Sequence, residues 1–474
     1  MAHDHYDLVV IGGGPAGISA AIAAAIFGKR VALVEQQAEI GGAGLNTGTI
    51  PSKALRESAL VISGWRTRKL LGVDLTLKRE TSLGDFMYHA VHVINAVRAD
   101  MHARLDTVGV ELVHGAASFA DPHTVRIVDD AGRETLQRGE MILIATGSSP
   151  AHPAEFPFGH PRVHDSNELL SIAELPRSLA VVGAGVVGAE YACTFAALGV
   201  AVHVIDGRES LLSFLDHEIS AGITAAMQRA GIEFHWRERV AACQAPEHGD
   251  VVLRLASGRT LPVSDVLVAA GRTSNTAALN LAAAGLTPGA RGLLRVNSTY
   301  QTDVPHIYAA GDVIGAPALM ATGMEQARVA VCHAFDLIDK QMPSLLPTGI
   351  YTIPEASMVG ETEQAVRESG VPYLVGRAPY SMNARGRLVG DESGVLKLIF
   401  RRDDMRLLGV HVLGEQATEL VHVGVTAMLC GADAALFNRE CFNFPTLGDL
   451  YKFAAFDAIL QRSDRKMAFL DGRG

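Results

Sequence analysis

The segment Tyr6-Asp-Leu-Val-Val-Ile-Gly-Gly-Gly-Pro-Ala-Gly17 decides the fold of this chain. Its apolar half has the length of a buried strand, its glycines form a turn, and the alanine-rich residues 16–27 are typical of a buried helix. A second apolar run, Arg30–Glu35, completes a strand–helix–strand unit. Continuous apolar strands of this kind lie in parallel sheets that are covered on both faces. The segment therefore predicts an α/β domain.

The same pattern returns about 170 residues further along the chain. The run Leu179-Ala-Val-Val-Gly183 leads into a glycine turn, a helical stretch to Leu198 and the strand Val200–Asp206. A repeat at this distance indicates two copies of one fold and not a short-period solenoid. From about Pro347, short alternating strands mix with helices, which predicts an α+β domain. The predicted architecture is α/β, with two Rossmann-like, three-layer β/β/α dinucleotide-binding domains and a C-terminal α+β domain.

Stretches outside these units carry their own predictions. Residues 54–105 have helical periodicity, residues 110–136 alternate like an antiparallel meander, and residues 263–270 have the composition of one buried strand. In the C-terminal domain, helices are predicted at residues 417–429 and 447–460.

The composition excludes several classes of protein. The 474 residues can form about three domains, and a hydrophobic content of 48% lets each bury a core. The net charge of -10 argues against binding of nucleic acid, because a phosphate backbone needs a basic face. No apolar stretch is long enough to cross a bilayer, and the N-terminus runs directly into a strand. We therefore expect a soluble protein with no membrane partner.

The cysteines and histidines predict neither a disulfide scaffold nor a metal site. The cysteines lie far apart without a CxxC pair, which favours the reducing cytoplasm; they are Cys193, Cys243, Cys332, Cys430 and Cys441. Several histidines lack the mutual spacing of metal ligands; they are His160, His164, His203, His306 and His422.

The first glycine pattern, Gly12-x-Gly14-x-x-Gly17, has a physical role at each position. The first glycine permits a tight turn, the second lets a pyrophosphate approach the backbone, and the third lets helix and strand pack closely. The positive end of the following helix then faces the phosphates, and Glu35 at the next strand end can accept from a ribose diol. In this context the pattern predicts a bound dinucleotide, and a structural turn without a ligand is the alternative.

The second pattern, Gly183-x-Gly185-x-x-Gly188, predicts a second dinucleotide, with Asp206 as its acidic strand end. Two such patterns in one chain suggest one resident redox cofactor and one exchanging nicotinamide nucleotide. Asp206 favours a free 2′-hydroxyl and disfavours a 2′-phosphate, whereas Arg208 can pair with a phosphate or remain a solvated surface charge. The preference between NAD and NADP stays open at this point.

A further segment resembles a known family. Gly41-Gly-Ala-Gly-Leu-Asn-Thr-Gly-Thr-Ile-Pro-Ser-Lys53 resembles the active-site segment of the two-dinucleotide flavoprotein disulfide reductases, the dihydrolipoamide dehydrogenase family. Ala145-Thr-Gly147, Gly271-Arg272 and Tyr308-Ala-Ala-Gly-Asp312 match other signatures of that family in order and spacing. Within the family, segments 48–55, 347–355 and 442–446 are similar to those of the soluble pyridine nucleotide transhydrogenases.

The resemblance extends over about residues 5–460 and implies how the chain is divided. It implies an FAD-binding domain at residues 1–150 and 275–346, an NAD(P)-binding domain at 151–274, and an interface domain at 347–474. Two chains are expected to form a homodimer through the interface domain. FAD is the implied cofactor, and NAD or NADP is the implied exchanging substrate.

The resemblance also implies site residues. Lys53 matches the lysine beside flavin N5 and Glu190 matches its ion-pair partner, a pair that holds positive charge where the reduced flavin needs it. The other residues implied at FAD are Gly12, Gly14, Pro15, Ala16, Gly17, Glu35, Gln36, Gly42, Ala117, Ala145, Thr146, Gly147, Asp312 and, through its backbone, Met320. Those implied at the nicotinamide nucleotide are Gly183, Gly185, Val186, Val187, Gly188, Glu190, Asp206, Arg208, Val240, Gly271 and Arg272.

Four positions depart from the disulfide reductases. The two cysteines of the redox disulfide fall at Gly44 and Thr49, and the proton-transferring histidine and its glutamate fall at Phe444 and Asp449. We therefore do not expect this chain to reduce disulfides. The transhydrogenases usually keep the first cysteine and carry a residue less hostile to a 2′-phosphate in place of Asp206, so the chain departs from them at two positions.

Three functional hypotheses follow. Without a disulfide, a hydride delivered by one pyridine nucleotide must stay at flavin N5 until a second nucleotide enters the same pocket, which gives ping-pong transhydrogenation as the leading hypothesis. The second hypothesis places a quinone, a small electrophile or oxygen in the space left at Gly44 and Thr49, giving diaphorase or oxidase activity. The third is a flavin-binding structural or sensing subunit without turnover, against which an intact pair of Lys53 and Glu190 argues.

Overall fold

The structure is a computed structural model that describes residues 4–64 and 83–462. Its strands are β1 (Asp4–Ile11), β2 (Val31–Glu35), β3 (Glu111–His114), β4 (Ala116–Asp121), β5 (Thr124–Val128), β6 (Glu134–Ile144), β7 (Ser148–Pro150), β8 (Val163–His164), β9 (Ser178–Val182), β10 (Ala201–Asp206), β11 (Glu233–Trp236), β12 (Val240–Gln244), β13 (Val251–Leu255), β14 (Thr260–Val263), β15 (Asp265–Val268), β16 (Arg272–Ser274), β17 (Ile307–Ala309), β18 (Thr348–Ile350), β19 (Ala356–Gly360), β20 (Tyr373–Pro379), β21 (Val395–Arg401) and β22 (Leu407–Leu413). Its α-helices are α1 (Pro15–Ile26), α2 (Gly42–Asn46), α3 (Thr49–Ile62), α4 (Leu83–Thr107), α5 (Val186–Ala197), α6 (His217–Arg229), α7 (Met320–Ala334), α8 (Glu363–Ser369), α9 (Ala384–Leu388), α10 (Ala417–Leu429), α11 (Ala434–Arg439) and α12 (Leu450–Arg462).

The first sheet contains five parallel strands in the order β3-β2-β1-β6-β17. The long strand β6 also forms an antiparallel meander with β5 and β4. Helices α1 and α7 cover one face of the parallel strands, and the meander covers the other through Phe119, Val125 and Ile127. Because both faces are buried, residues 8–11 of β1 and 31–34 of β2 are continuously apolar.

The second sheet repeats this arrangement. Its five strands are all parallel, in the order β11-β10-β9-β15-β8. Helices α5 and α6 cover one face, and the meander β12-β13-β14 covers the other. The prediction of two three-layer β/β/α domains is thus confirmed.

The third sheet is antiparallel, in the order β18-β19-β22-β21-β20, and packs against α10 and α12. This confirms the predicted α+β type. Helix α10 has the predicted bounds, whereas the helix predicted from residue 447 begins with a 3-10 turn, so that α12 starts at Leu450.

Two strand predictions were wrong in their details. Strand β3 pairs in parallel with β2, so the predicted meander at residues 110–136 contains only β4, β5 and the start of β6. The strand predicted at residues 263–270 is present as β15 but is shorter, because Val263 ends β14 of the second meander and β15 contains only Asp265–Val268. Of the helical prediction for residues 54–105, the part at residues 65–82 lies outside the described residues.

The order of the strands places both glycine turns at carboxyl ends of parallel strands, next to β6 in the first sheet and β15 in the second. Ligands bind at such edges in open α/β sheets. None of the helices in the described ranges has the length and apolar character needed to traverse a lipid bilayer.

Candidate active site

The first glycine turn joins β1 to α1. Gly12 has a φ of +110°, and a Cβ there would lie 2.5 Å from the carbonyl oxygen of Ala145. A Cβ at Gly17 would lie 1.9 Å from the carbonyl oxygen of Gly12, so helix and strand touch through their backbones. Between them Gly14 is open, because the nearest described atom to a Cβ there is the Cα of Gly42, at 3.9 Å. A ligand can therefore approach the backbone at the start of α1, where the helix dipole favours an anion.

The second glycine turn joins β9 to α5 and has nearly the same geometry. Gly183 has a φ of +109°, and a Cβ at Gly188 would lie 1.9 Å from the carbonyl oxygen of Gly183. A Cβ at Gly185 would meet no described atom within 4 Å. The chain thus presents two similar openings, and each lies at the N-terminus of a helix.

Each glycine turn donates a backbone hydrogen bond to a carboxylate at the end of the neighbouring strand, Glu35 in the first sheet and Asp206 in the second. Glu35 accepts hydrogen bonds from the backbone N–H groups of Gly13, at 2.7 Å, and Gln37, at 2.8 Å. Asp206 accepts one from the backbone N–H of Ala184 at 2.6 Å. Within the described ranges, no basic side chain forms an ion pair with Glu35.

Asp206 differs from Glu35 because it has a cationic partner. Arg208 donates to Asp206 from Nε at 2.9 Å, from Nη2 at 2.7 Å and from its backbone N–H at 2.8 Å. Burial acts to raise the pKa of Asp206, but hydrogen bonds from Arg208 and Ala184 outweigh it and lower the pKa to about 2. The Arg208 side chain remains about half exposed, and a Cβ at Gly207 would lie 3.0 Å from Nε of Arg239. Asp206 and Arg208, which considered separately favour different nucleotides, thus form one ion pair.

Lys53 of α3 and Glu190 of α5 meet across the boundary between the first two sheets. Their Nζ and Oε2 atoms are 2.6 Å apart, and Oε1 of Glu190 accepts from the backbone N–H of Tyr351 at 2.9 Å. The Lys53 ammonium also lies 4.9 Å from the centre of the Tyr351 ring. Glu190 is buried and Lys53 is more exposed, so the ammonium is the accessible end of the pair. Tyr351 was not predicted as a site residue.

Arg56, one turn after Lys53 on α3, anchors the segment that contains Tyr351. Its guanidinium donates to the carbonyl oxygen of Thr352 from Nε at 3.2 Å and Nη2 at 3.1 Å. The same Nη2 lies 3.2 Å from Oε1 of Glu355. Arg56 therefore joins α3, the helix that carries Lys53, to the third domain, which contains β18–β22. Segment 347–355 of that domain positions Glu190.

Polar groups near β6 and β17 fit a bound dinucleotide. Thr146 Oγ1 is buried and has no hydrogen-bond partner among the described atoms, which destabilises a protein unless a ligand supplies one. Asp312 accepts from the hydroxyl of Ser148 at 2.8 Å. Arg272 donates to the Ser148 hydroxyl at 2.7 Å and to its carbonyl at 2.6 Å. Thr146 and the opening at Gly14 thus both fit a cofactor of the FAD type.

The space expected at Gly44 is filled. A Cβ at Gly44 would lie 2.9 Å from Cγ of Pro15 and 3.3 Å from Sδ of Met320. Pro15 at the start of α1 and the sulfur of Met320 therefore occupy the volume next to Gly44, whereas space for another substrate beside Thr49 stays a prediction. Met320 contributes its side chain here, in addition to the backbone role that the resemblance implied.

Other predicted site residues are dispersed around the two turns. Ala117 lies in β4, Val240 begins β12, and Gly271 follows β15 with a φ of +113°. Arg272 is directed at Ser148, close to Asp312, and not at the second glycine turn. Their contacts with a nucleotide stay predictions.

Phe444 and Asp449 lie on the surface of the third domain. They line a cavity of about 630 Å³ together with Met382, Ala384, Arg387, Leu388, Pro445 and Phe453. Phe444 is 77% exposed, Leu388 68% and Met382 59%. An exposed apolar patch of this kind is typical of an interaction surface.

Comparison with known proteins agrees with this geometry. Residues 6–334 match the family described as pyridine nucleotide-disulphide oxidoreductase, and residues 346–455 match the dimerisation domain of the same family. The chain belongs to this family. Its membership confirms the resemblance drawn from the sequence and the predicted fold class.

Several curated relatives in the family are close. The soluble pyridine nucleotide transhydrogenase of Mycobacterium bovis is 44% identical over 455 residues, covering 96% of this chain and 97% of the relative. That of a Marinomonas species is 40% identical over 466 residues, covering 97% and 99%.

Solved structures in the family have the same fold. The HOCl-induced flavoprotein disulfide reductase RclA from Escherichia coli, solved as a Cu(II) complex, superposes with a TM-score of 0.87 at 27% identity, covering 96% of this chain and 99% of that one. LpdA from Mycobacterium tuberculosis superposes with a TM-score of 0.86 at 26% identity, covering 98% and 100%.

Proposed function

We propose that this chain is an FAD-dependent oxidoreductase that transfers a hydride between pyridine nucleotides, without dithiol chemistry. FAD supplies the group that takes a hydride from one nicotinamide and gives it to another. One observation carries the proposal: the pair of Lys53 and Glu190 is intact at 2.6 Å, while positions 44 and 49 hold no thiol. The transhydrogenase names of the relatives support a second pyridine nucleotide as acceptor.

The residues of the first turn would hold FAD. Gly14 leaves the helix start open to the pyrophosphate, and Glu35 stands at the strand end where a ribose diol can donate to it. Thr146 offers its unpaired hydroxyl, and Asp312 offers a carboxylate that Ser148 orients.

Lys53 keeps a positive charge at the cleft. Glu190 holds the ammonium in place, and Glu190 is itself fixed by the Tyr351 N–H. A preorganised cation of this kind stabilises negative charge that develops beside it, and it needs no reorganisation during the reaction.

The pair of Asp206 and Arg208 suits a pocket that must accept two nucleotides in turn. Asp206 can accept a hydrogen bond from the 2′-hydroxyl of NAD(H). Arg208 is half exposed and can turn from Asp206 to the 2′-phosphate of NADP(H), which offsets part of the repulsion between that phosphate and the carboxylate. We therefore assign both nucleotides as substrates of the second turn.

Three further assignments belong to this proposal. Strand β17 returns to the first sheet after the second domain, which supports an FAD domain at 1–150 and 275–346, with NAD(P) at 151–274 and the interface at 347–474. The match to a dimerisation domain and the patch around Phe444 support a homodimer through the third domain. All five cysteines are free, which supports a cytoplasmic location.

Anaerobic rapid mixing tests the function. The FAD-loaded protein is first mixed with one equivalent of NADPH, and flavin bleaching is followed by absorbance. An NAD⁺ analogue with its own absorbance, such as thio-NAD⁺, is then added. We expect bleaching in the first step, and recovery of the flavin with stoichiometric reduction of the analogue in the second.

The outcomes separate the hypotheses. Bleaching without recovery by the analogue, but with recovery by a quinone or oxygen, would replace transhydrogenation by diaphorase or oxidase activity. No bleaching by NADPH or NADH would favour the sensing subunit. A thiolate-to-flavin charge-transfer band at any stage would contradict the absence of dithiol chemistry.

A further inference from the structure

Three metal-ligating side chains converge at the edge of the second parallel sheet. His203 lies on β10, and Glu233 and His235 lie on the outermost strand, β11. The register pairs His203 directly with Glu233, and alternation along β11 places His235 on the same face as Glu233. The sequence analysis found no metal-ligand spacing for His203. Its two partners in the structure lie about 30 residues away, on another strand.

The distances between the three side chains suit a small divalent ion. Nδ1 of His203 lies 3.3 Å from Oε2 of Glu233 and 3.4 Å from Nε2 of His235, and all three atoms lie within 4.8 Å of one another. A tetrahedral ion with bonds of about 2.0–2.1 Å holds its ligand atoms about 3.3–3.4 Å apart. Two of the three separations therefore already have the length that zinc coordination requires.

Hydrogen bonding alone satisfies this cluster poorly. Nδ1 of His203 faces both the Glu233 carboxylate and Nε2 of His235, and a ring nitrogen carries either one proton or one lone pair. With a proton, Nδ1 of His203 can donate to Glu233 but cannot accept from His235. With a lone pair, it can accept from His235, but it then faces the Glu233 carboxylate with no proton between them.

We propose that His203, Glu233 and His235 bind one divalent cation of the zinc type, with water completing the coordination. Glu233 is largely exposed and His235 is buried, so the ion would enter from solvent and rest against the sheet. It would join β11 to β10, the strand that ends at Asp206. The site is therefore a structural clamp on the nucleotide-binding sheet, independent of the proposed reaction.

Arg259 gives the proposal a specific consequence. Its Nη2 lies 3.5 Å from Nδ1 of His235, and its side chain is exposed. When Nε2 of His235 binds a metal, Nδ1 must carry the proton and cannot accept from a guanidinium. Arg259 must then turn away into solvent. Its removal should tighten metal binding, whereas removal of a residue unrelated to the site should not.

The experiment uses the FAD-loaded chain after treatment with a chelator and desalting. Zn²⁺ is titrated against a chromophoric competitor, and Co²⁺ is added separately to report a tetrahedral site through its absorption at wavelengths beyond the flavin bands. We expect one ion per chain and a higher unfolding temperature with Zn²⁺. Loss of an outer partner weakens metal binding about 10–100-fold, so H235A and E233Q, which remove ligands, should weaken it at least about 100-fold.

Two further variants complete the design. R259A should bind Zn²⁺ several-fold more tightly than the unaltered chain. H114A removes a different exposed histidine, whose Nε2 lies 3.0 Å from Asp130, and should leave the affinity unchanged. The proposal is overturned if no ion binds, or if E233Q, which changes an exposed side chain, binds Zn²⁺ as tightly as the unaltered chain.

Discussion

Asp206→Asn should move nucleotide preference towards NADPH. In the folded protein, Asp206 accepts two side-chain hydrogen bonds from Arg208, at 2.9 and 2.7 Å, and two from backbone N–H groups. Asparagine removes the carboxylate charge and both charged contacts with Arg208. The guanidinium is then released to a 2′-phosphate, and the 2′-hydroxyl of NADH loses its charged acceptor.

The size of the effect follows from these contacts. A hydrogen bond to a charged group contributes about 1.5–3 kcal/mol, which corresponds to about 10- to 150-fold in an equilibrium constant. We expect the ratio of kcat/KM for NADPH to that for NADH to rise by about this factor. Since the pKa of Asp206 is about 2, the carboxylate is ionised throughout the working pH range. A phosphate monoester loses its second proton at a pH of about 6, so the effect should be constant only above about pH 7, where the 2′-phosphate is doubly charged.

The assay is anaerobic stopped-flow reduction of the flavin by each nucleotide. Arg208→Ala should act in the opposite direction, lowering NADPH use by about tenfold or more while sparing NADH. Glu209→Gln is a matched control, because this exposed carboxylate of the same loop pairs with Arg237 and not with Arg208. An unchanged NADPH-to-NADH ratio in Asp206→Asn, or an equal loss of both nucleotides in Arg208→Ala, would refute the reasoning.

Three other sets of changes test the second glycine turn, the charge at Lys53 and the buried ion pairs of Lys397. Gly185→Ala should keep the melting temperature but weaken NADH binding about tenfold or more. Gly188→Ala should lower the melting temperature, because its Cβ would lie 1.9 Å from a carbonyl oxygen. Thermal melts and NADH titrations measure both effects, and equal effects of the two variants would contradict the assigned roles. Lys53→Met should slow flavin reduction by about 100-fold and Lys53→Arg by less, as measured by stopped flow; an unchanged rate in Lys53→Met would remove the charge argument. Lys397 is 1% exposed and lies 2.7–3.0 Å from the carboxylates of Asp216, Glu218 and Glu363, so Lys397→Met should lower the free energy of unfolding by about 3–5 kcal/mol at pH 7. Burial acts to raise the pKa of these three carboxyls, but the hydrogen bonds with Lys397 and their other partners lower it overall. The stabilisation by the ion pairs is therefore present at neutral pH and lost as the pH falls below about 4. In denaturant titrations, the difference in unfolding free energy between the variant and the unaltered chain should shrink there, and a constant difference would contradict the role of the ion pairs.

Local sequence was sufficient to predict much of the fold around the two glycine turns. The strand–helix–strand units, the tight turns at Gly12 and Gly183, and the acids Glu35 and Asp206 could be predicted, because each depends on neighbouring residues and on a periodicity of two or 3.6. Details that depend on which strand pairs with which were predicted less well. Strand β3 joins β2 in parallel, and no local pattern distinguishes this pairing from a hairpin.

The sequence by itself determined that no cysteine side chain lies at positions 44 and 49, whatever the fold. Tertiary structure decided what replaced it. Met320 and Pro15 fill the space at Gly44, and Tyr351 reaches Glu190 from 161 residues away. The convergence of His203 with Glu233 and His235 likewise depends on the register of two parallel strands. These contacts join residues far apart in the chain, and only the packing of sheets and domains fixes the distances between them.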